Sequence, residues 1–280
     1  MPKTLGPAST SFVLAEDPRS GKQQPKFVNT VHLAMDSAQA DFYDVLERSV
    51  MDGATAEDRL KAKELCDKVE LKTTSLLSLV TRLRQAVACP GMLTSQAVPS
   101  AKLDYAAEFA AELAQSGEKV VILSTFKQPL YELADRLRDF KPFVVTGDSH
   151  EEELVEAMRE FQSDDSHMIW LGSHAKSGTG YTLNRAHYLI MLDAPWTKGL
   201  FDQSADRIHR LDNTGPAFIY NLVCDGTIDD LVTRLIDGKG AISDYVVDNA
   251  SDAAVMAEID KYMKSIAGKA EASSRKRAKR

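Results

Sequence analysis

Between Lys119 and Cys224 the sequence alternates short, nearly continuous apolar runs with polar or amphipathic stretches, and few folds accept that rhythm. The runs are KVVILS (119–124), PFVVT (142–146), HMIWLGS (167–173), HYLIMLD (187–193) and PAFIYNLVC (216–224). A strand with one wet face alternates apolar and polar residues, whereas runs like these suit strands buried on both sides. Helical spacing separates the first three, over residues 128–138 and 151–161, and a further helix is expected over 101–115, with Ser100 able to cap it and Gly117 to end it. The expected fold class is therefore α/β, a mainly parallel sheet in a three-layer arrangement with helices on both faces. In such sheets ligands gather at the carboxyl ends of the strands. Chemistry is thus sought at residues 124–127, 147–150, 173–180 and 193–196.

Upstream the pattern differs. Residues 1–26 are rich in Pro, Gly, Ser and Lys and read as a linker or extended arm. From Phe27 a helical segment is expected to residue 98, with Ser37 capping AQADFYDVLERSVM, a charged helix over 55–66, and a third helix over 71–87 that places Leu76, Leu79, Val80, Leu83 and Val87 on one face. It stops before Pro90 and Gly91. The sheet-bearing domain is expected over 99–245, a C-terminal helix over 246–268 and a basic, disordered tail over 269–280.

Composition narrows the function classes. The longest apolar runs, 119–123 and 188–192, fall far short of the roughly 20 residues a membrane helix needs. The first residues, MPKTLGPASTS, lack the apolar core of a secretory signal, so the chain is expected inside the cell, cytoplasmic or nucleoid-associated, or nuclear in a eukaryote. Cys66, Cys89 and Cys224 form no Cys-x-x-Cys pair and read as buried free thiols. No His-Glu-x-x-His spacing occurs, and no metal site is expected from the histidines. The net charge of −7 is uneven: residues 269–280 hold six Lys or Arg against one Glu, +5, which leaves −12 on residues 1–268. A basic tail on an acidic body suits a nucleic-acid arm, and equally a solvated terminus.

The segment DQSADRIHRL, residues 202–211, reads as a short helix. On it Gln203, Arg207 and Arg210 fall at i, i+4 and i+7, one amide and two guanidiniums on one stripe. Such a stripe is either a solvated surface or a face turned to an anion; spacing alone favours the surface.

The surrounding residues change that judgement. SHAKSGTGYTL (173–183), LDAPWTKGLFDQSADRIHR (192–210) and YNLVCDGTIDD (220–230) resemble, in order and spacing, the motif V and VI region of Swi/Snf-type ATPases of helicase superfamily two. VVILSTF resembles motif IV, and FVVTGDS followed by a helix ending MREFQ resembles the next block. LVTRLRQAVACPGML and PSAKLDYAAEFAAEL look like the helical protrusion and the entry into lobe two; QPKFVNTVHLAMDSAQADFYDVL is similar to the segment after lobe one. The resemblance covers residues 25 to about 235.

It implies the second of two RecA-like lobes of an ATP-dependent DNA translocase or helicase. In that family the lobes clamp ATP with Mg²⁺, bound mainly by the first lobe, and the second presents arginines to the γ-phosphate. The matching fingers are Arg207 and Arg210, with Gln203, Gly178 and Gly180 toward the nucleotide. Nucleic-acid contacts, expected to double-stranded DNA, fall on Ser124, Thr125, Ser173, Lys176, Thr179 and Trp196. Lys176, Ser177 and Gly178 stand where the family has Ala-Gly-Gly, and Thr182 where it has Asn. Finger arginines neutralise charge spread over the transferring phosphoryl oxygens, a contribution of about 10³ to 10⁵ in rate. No Gly-x-x-x-x-Gly-Lys-Ser/Thr and no Asp-Glu-x-His box occurs in the 280 residues. The chain is therefore expected to be half an enzyme, inactive alone and completed by a P-loop lobe in trans or on a longer parent chain. A binding module without catalysis is the alternative, and a Rossmann-type enzyme ranks last, since no strand is followed by Gly-x-Gly-x-x-Gly.

Overall fold

Every residue of VVILS and of IWLGS is buried, which requires cover on both faces of the strands they form. The computed structural model describes residues 9–16, 23–50, 54–69, 76–174, 183–209 and 215–237, with 257, 259, 261 and 262. These fall into two units, one of residues 1–34 and 101–225, the other of 35–100 and 226–280.

The first unit holds one sheet. In chain order its strands are β1 (Ser9–Glu16), β2 (Gln23–Leu33), β3 (Val120–Ser124), β4 (Phe143–Val145), β5 (Ile169–Ser173), β6 (Tyr188–Met191) and β7 (Ala217–Cys224), laid side by side as β1-β2-β7-β6-β3-β5-β4. From β2 to β4 all neighbours are parallel; only β1 runs antiparallel, on β2. This is the mainly parallel α/β sheet expected from the runs, in the RecA-like form that the resemblance implies. Among the helices of this unit, Ala101–Gln115 packs on β3 and β7, Lys127–Arg136 on β3, β4 and β5, and Glu151–Ser163 on β4. The Phe109 ring meets Tyr220 edge-on at 4.9 Å. Trp170 is fully buried, with Phe161 edge-on to it at 5.6 Å. Gly172 sits in a tight place: a Cβ on it would lie 3.0 Å from Trp170 Nε1 and 3.1 Å from Leu123 Cδ2, so those side chains would have to give way.

β1 and β2 correct the sequence reading, which expects an arm to residue 26 and a helix from Phe27. β2 pairs with β7 from Lys26 opposite Ala217 to Leu33 opposite Cys224. That partner lies about 190 residues away in sequence, beyond any local periodicity.

The second unit contains α1 (Ser37–Val50), α2 (Ala56–Leu65), α3 (Leu76–Ala88) and α8 (Ile228–Ile236); by the same chain-order numbering the helices of the first unit are α4 (Ala101–Gln115), α5 (Lys127–Arg136), α6 (Glu151–Ser163) and α7 (Lys198–Ala205). Asp36, one residue before the expected Ser37, caps α1 by accepting a hydrogen bond from the Gln39 N–H at 2.7 Å. The α8 start is doubly satisfied. Thr227 Oγ1 accepts from the Asp229 N–H, and the buried Tyr43 hydroxyl accepts from the Ile228 N–H at 2.9 Å. Burial pushes the Tyr43 phenol well above its ordinary pKa, so it stays a neutral hydroxyl. Residues 257, 259, 261 and 262 are helical, and the rest of the expected 246–268 helix, with the tail 269–280, lies outside the described residues. Among the described residues no helix is long and apolar enough to cross a membrane.

Candidate nucleotide and nucleic-acid site

Strand order reverses around β3, with β5 on one side and β6 on the other. At such a point the connections leave in opposite directions and open a crevice beyond the carboxyl ends of the strands. Here those ends are Ser124, Ser173 and Asp193. Three polar residues ending three fully apolar strands need partners, because nothing in the core below offers any.

Ser124 and Asp193 find them in each other and in the adjoining backbone. The Ser124 hydroxyl donates a short hydrogen bond to the Asp193 carboxylate, whose other oxygen accepts from the Thr125 N–H at 2.9 Å. Ser124 Oγ also accepts from the Phe126 N–H at 3.0 Å. His174, directly after β5, donates its backbone N–H to the Ser124 carbonyl at 3.1 Å. Its ring bridges the Asp193 carbonyl, 2.9 Å from Nε2, and Ser204 Oγ of α7, 2.9 Å from Nδ1. Ser124, Ser173, His174, Asp193 and Ser204 are all buried. Thr125 is exposed and Trp196 half-buried beside this layer. His174, Asp193 and Ser204 are absent from the sequence-derived site; for His174 and Asp193, polarity at strand ends is the available signal, and Ser204 of α7 offers none.

α7 starts at the Thr197 cap, whose hydroxyl accepts from the Leu200 N–H, and ends at Ala205. Beyond it the backbone tightens: Arg207 N–H reaches Ser204 O and Ile208 N–H reaches Ala205 O, three residues back instead of four. Two distant groups fix that ending. Lys26 Nζ of β2 donates to the Asp206 carboxylate at 3.0 Å, and the Leu183 N–H donates to the Arg207 carbonyl at 2.9 Å. The expected stripe is thereby corrected. Gln203 is exposed on α7, whereas Arg207 lies in the turn after it and is only 3% exposed, which rules out a solvated surface for this arginine. Arg210, Lys176, Gly178, Thr179 and Gly180 lie outside the described residues.

The profile of the helicase conserved C-terminal domain matches residues 101–212, the span that holds this cluster and the Arg207 turn. The human lymphoid-specific helicase is 30% identical over 138 residues, 49% of this chain and 16% of that protein. The chromatin-remodeling ATPase INO80 of Neurospora crassa is 27% identical over 190 residues, 67% of this chain and 9% of that protein. This chain carries a helicase conserved C-terminal domain similar to that of Swi/Snf-type ATPases. The lobe's fold matches the C-terminal part of the Fun30 ATPase domain, TM-score 0.63 at 19% identity, over 86% of this chain and 99% of that one. It also matches the Sulfolobus solfataricus SWI2/SNF2 ATPase core in complex with dsDNA, TM-score 0.58 at 21% identity, over 83% of this chain and 47% of that one. The chain spans only a small share, 16% and 9%, of the length of the human and Neurospora crassa relatives.

A groove of about 450 Å³ along β4 and α6 shares no residue with the cluster. Its polar lining includes Glu153, Glu156 and Glu160, which repel phosphate. Among the described residues no group of three or more His, Cys, Asp or Glu is placed to hold a metal ion.

Proposed function

We propose that this lobe completes an ATP-dependent DNA translocase or helicase by closing on a separate P-loop lobe that holds ATP and Mg²⁺. The observation that carries the reading is the polar layer at the switch point of the sheet, joined through α7 to the arginine-bearing turn inside a Swi/Snf-type domain. Arg210 is the finger that reaches the γ-phosphate. Arg207, held in the interior, braces the turn from which Arg210 extends and adds positive potential behind it. A fixed guanidinium fork suits the planar charge of a transferring phosphoryl group better than a lysine does. Gln203, exposed on the preceding turn of helix, faces the nucleotide, and glycines at 178 and 180 put no side chain in the way of the phosphates.

Double-stranded DNA lies over the same layer. Thr125, Lys176, Thr179 and Trp196 contact its backbone, and Ser124 and Ser173, buried beneath, hold the strand ends that carry them. The structure of the Sulfolobus solfataricus core in complex with dsDNA supports this choice of partner. The chemistry assigned to this lobe is electrostatic: it stabilises charge where water is excluded and moves no proton.

The test is reconstitution. The chain alone is expected to show no ATPase above background, and adding a cognate P-loop lobe is expected to give hydrolysis that rises with DNA. Turnover by the chain alone contradicts the reading.

A further inference from the structure

We infer that His174 is a positioning residue for the arginine-bearing turn, acting through Ser204; the inference rests on the proposed function above. Its ring ties the end of β5, the end of β6 and α7 together. The Asp193 carbonyl only accepts, so Nε2 carries the proton and donates at 2.9 Å. Nδ1 of the neutral ring is then an acceptor, and the Ser204 hydroxyl donates to it at 2.9 Å. The carbonyl thus sets the tautomer, and the Ser204 hydroxyl, able to donate or accept, takes the donor role toward Nδ1.

The position of Ser204 gives the bridge its consequence. Its own carbonyl accepts the Arg207 N–H, the first of the tightened bonds that end α7. The imidazole therefore anchors the residue on which the turn is wound, and its own backbone is locked to β3 through the Ser124 carbonyl. A packing residue here needs no polar contacts; this one is buried with both ring nitrogens engaged on different elements. Charge placed on the transferring phosphoryl is sensitive to displacements of about 1 Å. A rigid link from sheet to α7 limits such displacement.

The experiment compares Ser204→Ala, His174→Gln and the double variant in the chain paired with its P-loop lobe. Alanine is favourable in a helix, so Ser204→Ala keeps the fold. Glutamine keeps a donor near the Nε2 position for the Asp193 carbonyl and loses the contact to Ser204. Each single change is expected to lower DNA-stimulated kcat roughly ten- to hundredfold with the KM for ATP within about twofold. The double variant is expected to be no slower than either single, because both remove the same link. In the chain alone, imidazole ¹⁵N spectra should show His174 as the Nε2–H tautomer, with its Nδ1 resonance shifted by Ser204→Ala. Wild-type kcat in the singles, or losses that multiply in the double variant, overturns the inference, as does an Nδ1–H tautomer. Failure of the wild-type pair to hydrolyse ATP instead overturns the function on which it rests.

Discussion

Lys119 sits at the root of β3 with its ammonium inside the protein, a position that only full hydrogen bonding makes tolerable. Its Nζ donates to the carbonyls of Asp164 and His167, both at 2.7 Å, and lies 4.8 Å from the centre of the Phe161 ring. Desolvation lowers its pKa, with the Asp165 carboxylate opposing that shift. Lys119→Met keeps the stem and leaves two carbonyls without their donor, so a loss of about 2 kcal/mol is expected; the urea midpoint measures it, and an unchanged midpoint refutes it. At this scale the sequence was informative about residue type and less so about placement. The arginines of residues 207 and 210 stand out by spacing, yet the burial of Arg207 does not, because helical counting runs on past Asp206. What stops the helix is Lys26, 180 residues away, together with the Leu183 N–H.

The elements divide by the range of the forces that set them. α2 is locally determined. Thr55 and Asp58 form a capping box, the Asp58 N–H donating to Thr55 Oγ1 at 3.1 Å and the Thr55 N–H donating to Asp58 Oδ2 at 3.0 Å. The Thr55 hydroxyl and the Thr55 N–H, both donating to the carboxylate, hold the Asp58 carboxyl below its usual range, as the Ser95 hydroxyl and N–H do for Asp67. Folded pKa values below the unfolded ones mean stabilisation that is present above the unfolded pKa, about 3.9. It is lost as pH falls through the folded values. The melting temperature should therefore fall between about pH 4 and pH 2, and Asp58→Asn with Asp67→Asn should flatten that slope; an identical slope in the double variant contradicts the assignment. α2, α3 and the five strands from β3 to β7 were all legible from periodicity and caps. β1 and β2 were not. β2 reads QQPKFVNTVHL, with Pro25 inside it and most of its described residues only half-buried, and its identity comes from pairing with β7.

For the whole molecule, the central claim is that this lobe contributes charge to a reaction whose phosphates are held elsewhere. The α/β class followed from strands too apolar to have a wet face, and the site followed from where such sheets place their ligands. The organisation of that site was less legible, since Ser124, His174, Asp193 and Ser204 meet only once β3, β5, β6 and α7 are assembled. The most direct measurement is steady-state hydrolysis by the reconstituted lobes carrying Arg210→Ala, read beside DNA affinity. The account predicts a fall in kcat of about 10³ or more with the DNA dissociation constant within about twofold. An unchanged kcat, or a parallel loss of DNA binding, would contradict it.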